Sequence, residues 1–313
     1  MKPTLSRKRA CFYGLAIGDA LGAPVEFMGP HTFPRVTGYQ SGGPHRLLAG
    51  QWTDDTSMAL ALADSLLHVG WDPVDQMRRY IDWHRSGAYS ITGSCFDIGI
   101  TTAKALRKFK ASHDPETSGD PQEAASGNGS IMRLAPVAIY TADRYATDPN
   151  GIIDLAVASS RPTHASLQCL LACAILGLTL GALINGLSLH DAMSPDGPVL
   201  RRVRKYLPVH SDFADLMSGR LPLLHPPRIQ GAGYVVRTLE AALWAVATSR
   251  SFEEAVLKAV NLGDDADTVG AVCGQIAGAR WGMEGIPTHF LTGLDLPDCY
   301  GAIIERLCAL KGP

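Results

Sequence analysis

The sequence predicts an all-α fold, on three observations. Apolar residues recur with the 3.6-residue period of helices, convincing alternating strands are absent, and several segments carry N-cap and C-terminal glycine signals. Composition agrees. Of 313 residues, 46% are hydrophobic and 19% charged, which suits a globular protein with a large core and excludes a disordered chain. No obvious linker divides the chain, so a single domain over residues 1–313 is expected.

The elements follow in order. The start, "MKPTLSRKRACFYGLAIGDALGAP", is basic and then mildly apolar, but Asp19 and three glycines interrupt it. No convincing cleavage site follows, so it reads as a helix of the mature protein. Within it Gly14, Gly18 and Gly22 recur every four residues, laying glycine along one narrow face where another helix can approach closely. "WTDDTSMALALADSLL" opens a helix with Asp54 and Asp55 at its start. "DPVDQMRRYIDWH" has Asp72 as N-cap, Pro73 at the first helical position, and Val74, Met77 and Ile81 on one face. Residues 111–126 are rich in Pro, Ser and Gly and read as a surface loop. "GNGS" at Gly127–Ser130 is a flexible loop opening an apolar helix.

Then come two segments apolar nearly all round, "THASLQCLLACAILGLTLGALI" and "GYVVRTLEAALWAVATS", as expected of central helices. The apolar run Cys169–Ile184 falls short of the roughly 18–20 residues that span a bilayer, so it reads as a buried helix. Residues 186–230 between the two segments read as surface loops with short helical pieces. "SFEEAVLKAV" has Ser251 and Glu254 as a capping box, with Gly263 where a C-terminal glycine is expected. A helix in "NLGDDADTVGAVCGQIAG" repeats the four-residue glycine spacing at Gly270, Gly274 and Gly278.

Charge and cysteine usage narrow the function. A formal net charge of −2 gives no electrostatic case for nucleic acid or an anionic membrane. Seven cysteines are scattered, odd in number and without a CxxC pair, which suits reduced thiols in a cytoplasmic protein. Cys169 and Cys173 with His164 do not make a zinc site, because both cysteines lie in an apolar run and a fourth ligand is not evident.

The chemistry is concentrated in two acidic clusters over 200 residues apart, Asp54 with Asp55 and Asp264, Asp265 and Asp267, each at a helix start with a threonine beside it. A single such pair has a bland reading, since Asp and Thr cap helices and complement the dipole. A cap needs only one side chain, however, and adjacent acids repel. Hard divalent cations neutralise such clusters, and four carboxylates with threonine hydroxyls supply enough oxygen ligands for two. Three weaker signals accompany them. Glu26 follows a glycine-faced helix, and a solvated loop glutamate is its default reading. The GNGS loop has free N–H groups suited to a diphosphate, but is equally an ordinary turn. His164 opens the long buried helix, where a capping or core histidine is the commoner case.

Taken together, "GLAIGDALGAPVEFM", "WTDDTSMALALADSLL", "DIGITTAKAL", "GNGSIMRLAPVAI", "THAS", "GYVVRTLEAALWAV" and "NLGDDADTVGAVCGQIAGARWG", in this order, resemble the ADP-ribosylglycohydrolase family. The resemblance spans Cys11 to Gly282, and the paired WTDDT and GDDADT motifs are its specific part. It implies an all-α bundle, a binuclear Mg²⁺ or Mn²⁺ centre at helix N-termini, and removal of ADP-ribose from modified proteins. Carried over by motif, Thr53, Asp54, Asp55, Asp265, Asp267 and Thr268 are the implied metal ligands. Glu26 is the acidic residue near the metals. Gly127, Asn128, Gly129 and Ser130 face diphosphate and ribose, His164 contacts ribose, Tyr234 lies against adenine, and Asp97 is a substrate-side carboxylate. Asp264 is left to cap the helix or support the ligands.

The implied reaction breaks the C1 bond of the distal ribose through an oxocarbenium-like centre. Glu26, or one of the metal-site aspartates Asp55 and Asp265, is the expected acid or base. The expected partners are an ADP-ribosylated protein, arginine favoured, and ADP-ribose as product, with neither membrane nor nucleic acid involved and the chain a monomer. Two alternatives stay open: a different two-metal hydrolase acting on a phosphoester or ADP-ribose derivative, and a non-catalytic ADP-ribose binder.

Overall fold

Two glycine-faced helices form the centre of the protein. The computed structural model describes residues 4–310. Its α-helices are α1 (Leu5–Gly22), α2 (Asp54–Val69), α3 (Pro73–Ser86), α4 (Ile100–Ser112), α5 (Pro115–Ser118), α6 (Ala135–Thr141), α7 (Pro149–Ser160) and α8 (Leu167–Ile184). They continue with α9 (Leu189–Met193), α10 (Pro198–Tyr206), α11 (Ala214–Met217), α12 (Val235–Ala247), α13 (Phe252–Val260), α14 (Ala266–Trp281), α15 (Thr288–Gly293) and α16 (Asp298–Ala309). No sheet forms among the described residues; isolated bridges join Gly127 to Tyr234 and Asp120 to His164.

α1 and α14 run antiparallel in near-backbone contact. A Cβ on Gly14 would stand 2.2 Å from the Gly274 carbonyl oxygen, one on Gly18 2.0 Å from that of Gly270, and one on Gly22 2.4 Å from that of Ala266. The four-residue spacing thus serves close helix packing, and the two glycine stripes face each other. One consequence decides where the site lies. The C-terminal end of α1, which carries Asp19 and leads into Glu26, meets the N-terminal end of α14, which carries Asp265 and Asp267.

Around this pair, α8 packs on α6, α7, α12 and α14, while α2 lies against α3, α6 and α16. α8 is long and apolar enough to cross a membrane by length and composition, and it is 89% buried inside the protein. Its expected role as a core helix therefore holds, with the helix two residues longer than the apolar run from Cys169. Asp72 caps α3 as expected, accepting from the Val74 and Asp75 amides. The buried face of α3 is Met77, Tyr80 and Trp83, with Val74 and Ile81 only half-buried at its edges. The capping box at α13 is partial. Ser251 accepts from the Glu254 amide, but Glu254 returns its bond to the Arg250 amide rather than to that of Ser251.

Candidate active site

The two acidic clusters meet. Thr53 Oγ1 lies 2.9 Å from Asp19, 3.2 Å from Asp55 and 3.3 Å from Asp267 Oδ2. Thr268 Oγ1 reaches Asp55 Oδ2 at 3.4 Å. Carboxylate oxygens of Asp19, Asp55 and Asp267 lie within 4.8 Å of one another, as do those of Glu26, Asp265 and Asp267. The bland reading of the DD pair fails here, because neither Thr53 nor Asp265 makes a side-chain capping bond. For α2 the capping is done by another helix. Asp19 accepts from the Thr53 amide at 2.9 Å and the Thr56 amide at 3.0 Å, and from the Thr56 hydroxyl at 2.6 Å. With the orphan N–H groups satisfied from outside, Asp54 and Asp55 are free for other work.

Beside this cluster opens a cavity of about 680 Å³, lined among others by Glu26, Asp54, Asp97, Gly127, Asn128, Gly129, His164, Asp265 and Thr268. None of its lining residues is a lysine or arginine. Glu26 and Asp97 both contact His45, whose Nε2 is 3.1 Å from Glu26 and 3.2 Å from Asp97. Asn128 lines the cavity and donates to Asp265 Oδ2 at 2.6 Å and to Thr238 at 3.0 Å. The Glu26 loop is clamped to the Asp265 loop by backbone. Phe27 N–H donates to the Asp264 carbonyl and Asp264 N–H to that of Met28, both at 2.7 Å.

Burial governs the electrostatics. It pushes Asp54, Asp55 and Asp267 well above the usual carboxylate range, and their acidic neighbours add to it. Burial, then Asp97, Asp265 and Asp19, lift Glu26 to about 9; burial, then Asp19 and Asp265, lift Asp97 to about 7. Burial raises Asp19 to about 6 against the pull of its hydrogen bonds. Asp55 Oδ1 and Asp267 Oδ1 are buried and accept no hydrogen bond. Crowded carboxylates with orphaned oxygens, hydroxyls beside them and no cationic side chain in the cavity lining form a hard-oxygen donor set that fits divalent cations.

Over residues 1–312 the sequence matches the ADP-ribosylglycohydrolase family. The chain belongs to that family. Among similar proteins is "ADP-ribosylarginine hydrolase Tri1" of Serratia proteamaculans, 37% identical over 97% of this chain and 79% of its own length. "ADP-ribosyl-[dinitrogen reductase] glycohydrolase" of Rhodospirillum rubrum is 32% identical over 93% and 90%. A solved "ADP-ribosylglycohydrolase-related protein complex" superposes with a TM-score of 0.84 at 40% identity, covering 97% of both chains.

Several expectations for this ADP-ribosylglycohydrolase need correction. Ser130 does not face the cavity; it is buried against α8, where Cys173 lies 3.4 Å from its hydroxyl, while Cys169 donates to the Gly127 carbonyl. Those two cysteines brace the loop from behind. The loop does not open a helix directly, since α6 begins only at Ala135. The cap of α8 is Ser166, not His164, which lines the cavity instead. Tyr234 lies just outside the cavity lining, its backbone bridged to Gly127 and its hydroxyl donating to Asp212. Asp264 caps nothing by side chain. It adopts the left-handed φ of 56° that the clamp with Phe27 requires.

Two ionisable residues of the site escaped the sequence reading. Asp19 carried a signal, an acid inside the apolar second half of α1, which must be paired if buried. His45 carried none, because it sits in an irregular stretch whose course only the fold defines.

Proposed function

We propose that this ADP-ribosylglycohydrolase removes ADP-ribose from a modified protein side chain, arginine favoured, with two divalent cations, Mg²⁺ or Mn²⁺. The observation carrying the proposal is the convergence of the Asp54–Asp55 and Asp265–Asp267 helix starts, with orphaned oxygens on Asp55 and Asp267, at the cavity holding Glu26 and Asp97. Thr53, Asp54, Asp55, Asp265, Asp267 and Thr268 would hold the cations. Bound there, the cations would neutralise the carboxylates, hold the ribose hydroxyls and acidify a water near C1. Two relatives named ADP-ribosylarginine hydrolase, 37% and 38% identical, support arginine as the acceptor. An acidic cavity lining with no lysine or arginine is compatible with a guanidinium.

The chain's own residues then divide the work. Breaking the C1–N bond needs a proton on the departing nitrogen. Glu26 and Asp97 sit together with His45, where burial and neighbouring carboxylates raise both above the usual carboxylate range. Glu26, the more strongly raised of the two, is the group placed to protonate the leaving nitrogen. Asn128 fixes Asp265, and Asp19 fixes the start of α2, so the carboxylates are held before substrate arrives. The test offers chelator-dialysed protein a panel of ADP-ribosylated arginine, serine and threonine, with and without Mg²⁺ or Mn²⁺. Release of intact ADP-ribose only with cation is expected. Full turnover without cation refutes the metal assignment, and release of AMP instead identifies a diphosphate-cleaving enzyme.

A further inference from the structure

Arg133 is 1% exposed, yet no carboxylate lies within ion-pair distance of its guanidinium among the described residues. A buried charge without a counter-ion is costly and calls for a role. Its partners are the Tyr80 ring, 4.9 Å from the guanidinium carbon, the Gly129 carbonyl, and Thr163 Oγ1 at 2.6 Å. Thr163 Oγ1 in turn lies 2.9 Å from Nδ1 of His164. Arg133, Gly129, Thr163 and His164 thus form one chain ending at the cavity wall.

Donor and acceptor counting ranks the proton positions along it. Arginine only donates, so the Thr163 oxygen must accept from Arg133 and its own hydrogen must go elsewhere. The other acceptor in reach is the Ser160 carbonyl, at 3.5 Å. That carbonyl already accepts from the Thr163 amide at 3.0 Å and the His164 amide at 2.7 Å, which fills its two lone pairs. Nδ1 of His164, at 2.9 Å and with no other partner, is therefore the better acceptor for the hydroxyl hydrogen than the crowded carbonyl at 3.5 Å. Nδ1 is then the acceptor, and the ring proton sits on Nε2. Among the described residues Nε2 has no hydrogen-bond partner, and His164 lines the cavity. Glycine at 129 leaves room for the ring, since a Cβ there would stand 2.8 Å from Cε1.

We infer that Arg133 and Thr163 are positioning residues that fix His164 as its Nε2–H tautomer, giving the cavity a permanent neutral donor for a ligand oxygen. That the ligand is ADP-ribose rests on the function proposed above; the tautomer does not. Burial, with the Arg133 charge behind the ring, brings His164 down to about 3, so it stays neutral at any working pH. A donor that is not a cation binds a ribose or phosphate oxygen without adding charge to the Arg133 side of the cavity.

Two-bond ¹H–¹⁵N correlation spectra of histidine-labelled protein separate the tautomers, and His164→Gln assigns the signal among ten histidines. The native ring should carry its proton on Nε2. Thr163→Ser should keep that tautomer, whereas Thr163→Val should lose it and weaken ADP-ribose binding on the order of 10–100-fold, as for the partners that orient metal-bound histidines. A native Nδ1–H ring overturns the inference, and that spectrum decides even if Thr163→Val fails to fold. So does a folded Thr163→Val that keeps the Nε2–H ring or binds ADP-ribose as tightly as the native chain. No substrate enters the spectrum, so missing turnover would count against the proposed function alone.

Discussion

Gly274→Ala separates helix propensity from packing, because the two act with opposite sign. Alanine is favoured over glycine inside a helix by about 1 kcal/mol, so propensity alone predicts a more stable protein. The structure predicts the reverse. A Cβ on Gly274 would stand 1.8 Å from the Gly14 carbonyl oxygen, where ordinary contact begins at 3.4 Å. The obstacle is backbone on α1 and cannot rotate away, so the helices must part locally by more than an ångström. Overpacking of this kind costs about 1–3 kcal/mol or more, which outweighs propensity over most of that range. With unfolding entropy near 2.1 cal/mol/K per residue, each net 2 kcal/mol lowers Tm by roughly 3 °C for a chain of 313 residues.

Activity should suffer more than stability. Asp267 lies two turns from Gly274 on the same helix, opposite Asp19 and Thr53. Displacement of about 1 Å at a reacting centre costs on the order of 100-fold in rate. The assay is a melting curve in chelator together with turnover at saturating cation. Gly181→Ala is the control. It lies in α8, where a new Cβ would meet only the side-chain atoms of Ile152 and Tyr145, at 3.3 Å and beyond, and it should be neutral or stabilising. If Gly274→Ala melts at or above the native temperature with full turnover, the close-packing argument is wrong.

Three other outcomes are expected. Cation-free protein should lose stability as pH rises. Asp19, Asp97 and Glu26 have folded pKa values of about 6, 7 and 9 against ordinary values of 3.8, 3.8 and 4.5, so these groups bind more protons in the folded state between pH 4 and 9. His164, at about 3 when folded against an ordinary 6.5, acts in the opposite sense below pH 6.5, so the slope of stability against pH is negative between about pH 6.5 and 9, and Mg²⁺ or Mn²⁺ should flatten it; a cation-free Tm that climbs from pH 6.5 to 8.5 contradicts the burial of these acids. Asp265→Asn and Asp267→Asn should each lose most activity and cation affinity. Asp264→Asn should retain much more, because asparagine tolerates the left-handed φ of 56°; equal loss at 264 would show that the ligand positions are misassigned. Finally, Asp19→Ala should cost about 1–2 kcal/mol through the lost cap of α2 and speed amide exchange at Thr53 and Thr56. Unchanged exchange there would mean that another group caps the helix.

Periodicity and punctuation in the sequence determined the all-α class, the core helices around Leu167–Ile184 and Val235–Ala247, and the starts of α2, α3, α13 and α14, because those signals are local. The two DD motifs could be paired from sequence because carboxylate crowding is unfavourable without a shared neutraliser, whatever the fold. The facing of the two glycine stripes was decided only by tertiary structure, since one stripe says that a helix is near but not which one. The same holds for Asp19, which caps a helix that starts 35 residues later, and for His45, which joins Glu26 to Asp97 from an irregular stretch. Ser130 turns toward α8 while Gly129 beside it lines the cavity, a difference set by the chain's path rather than by residue type. Residue chemistry names what a site requires; which oxygen, amide or guanidinium supplies it depends on contacts between segments far apart in the chain, and only packing brings those together.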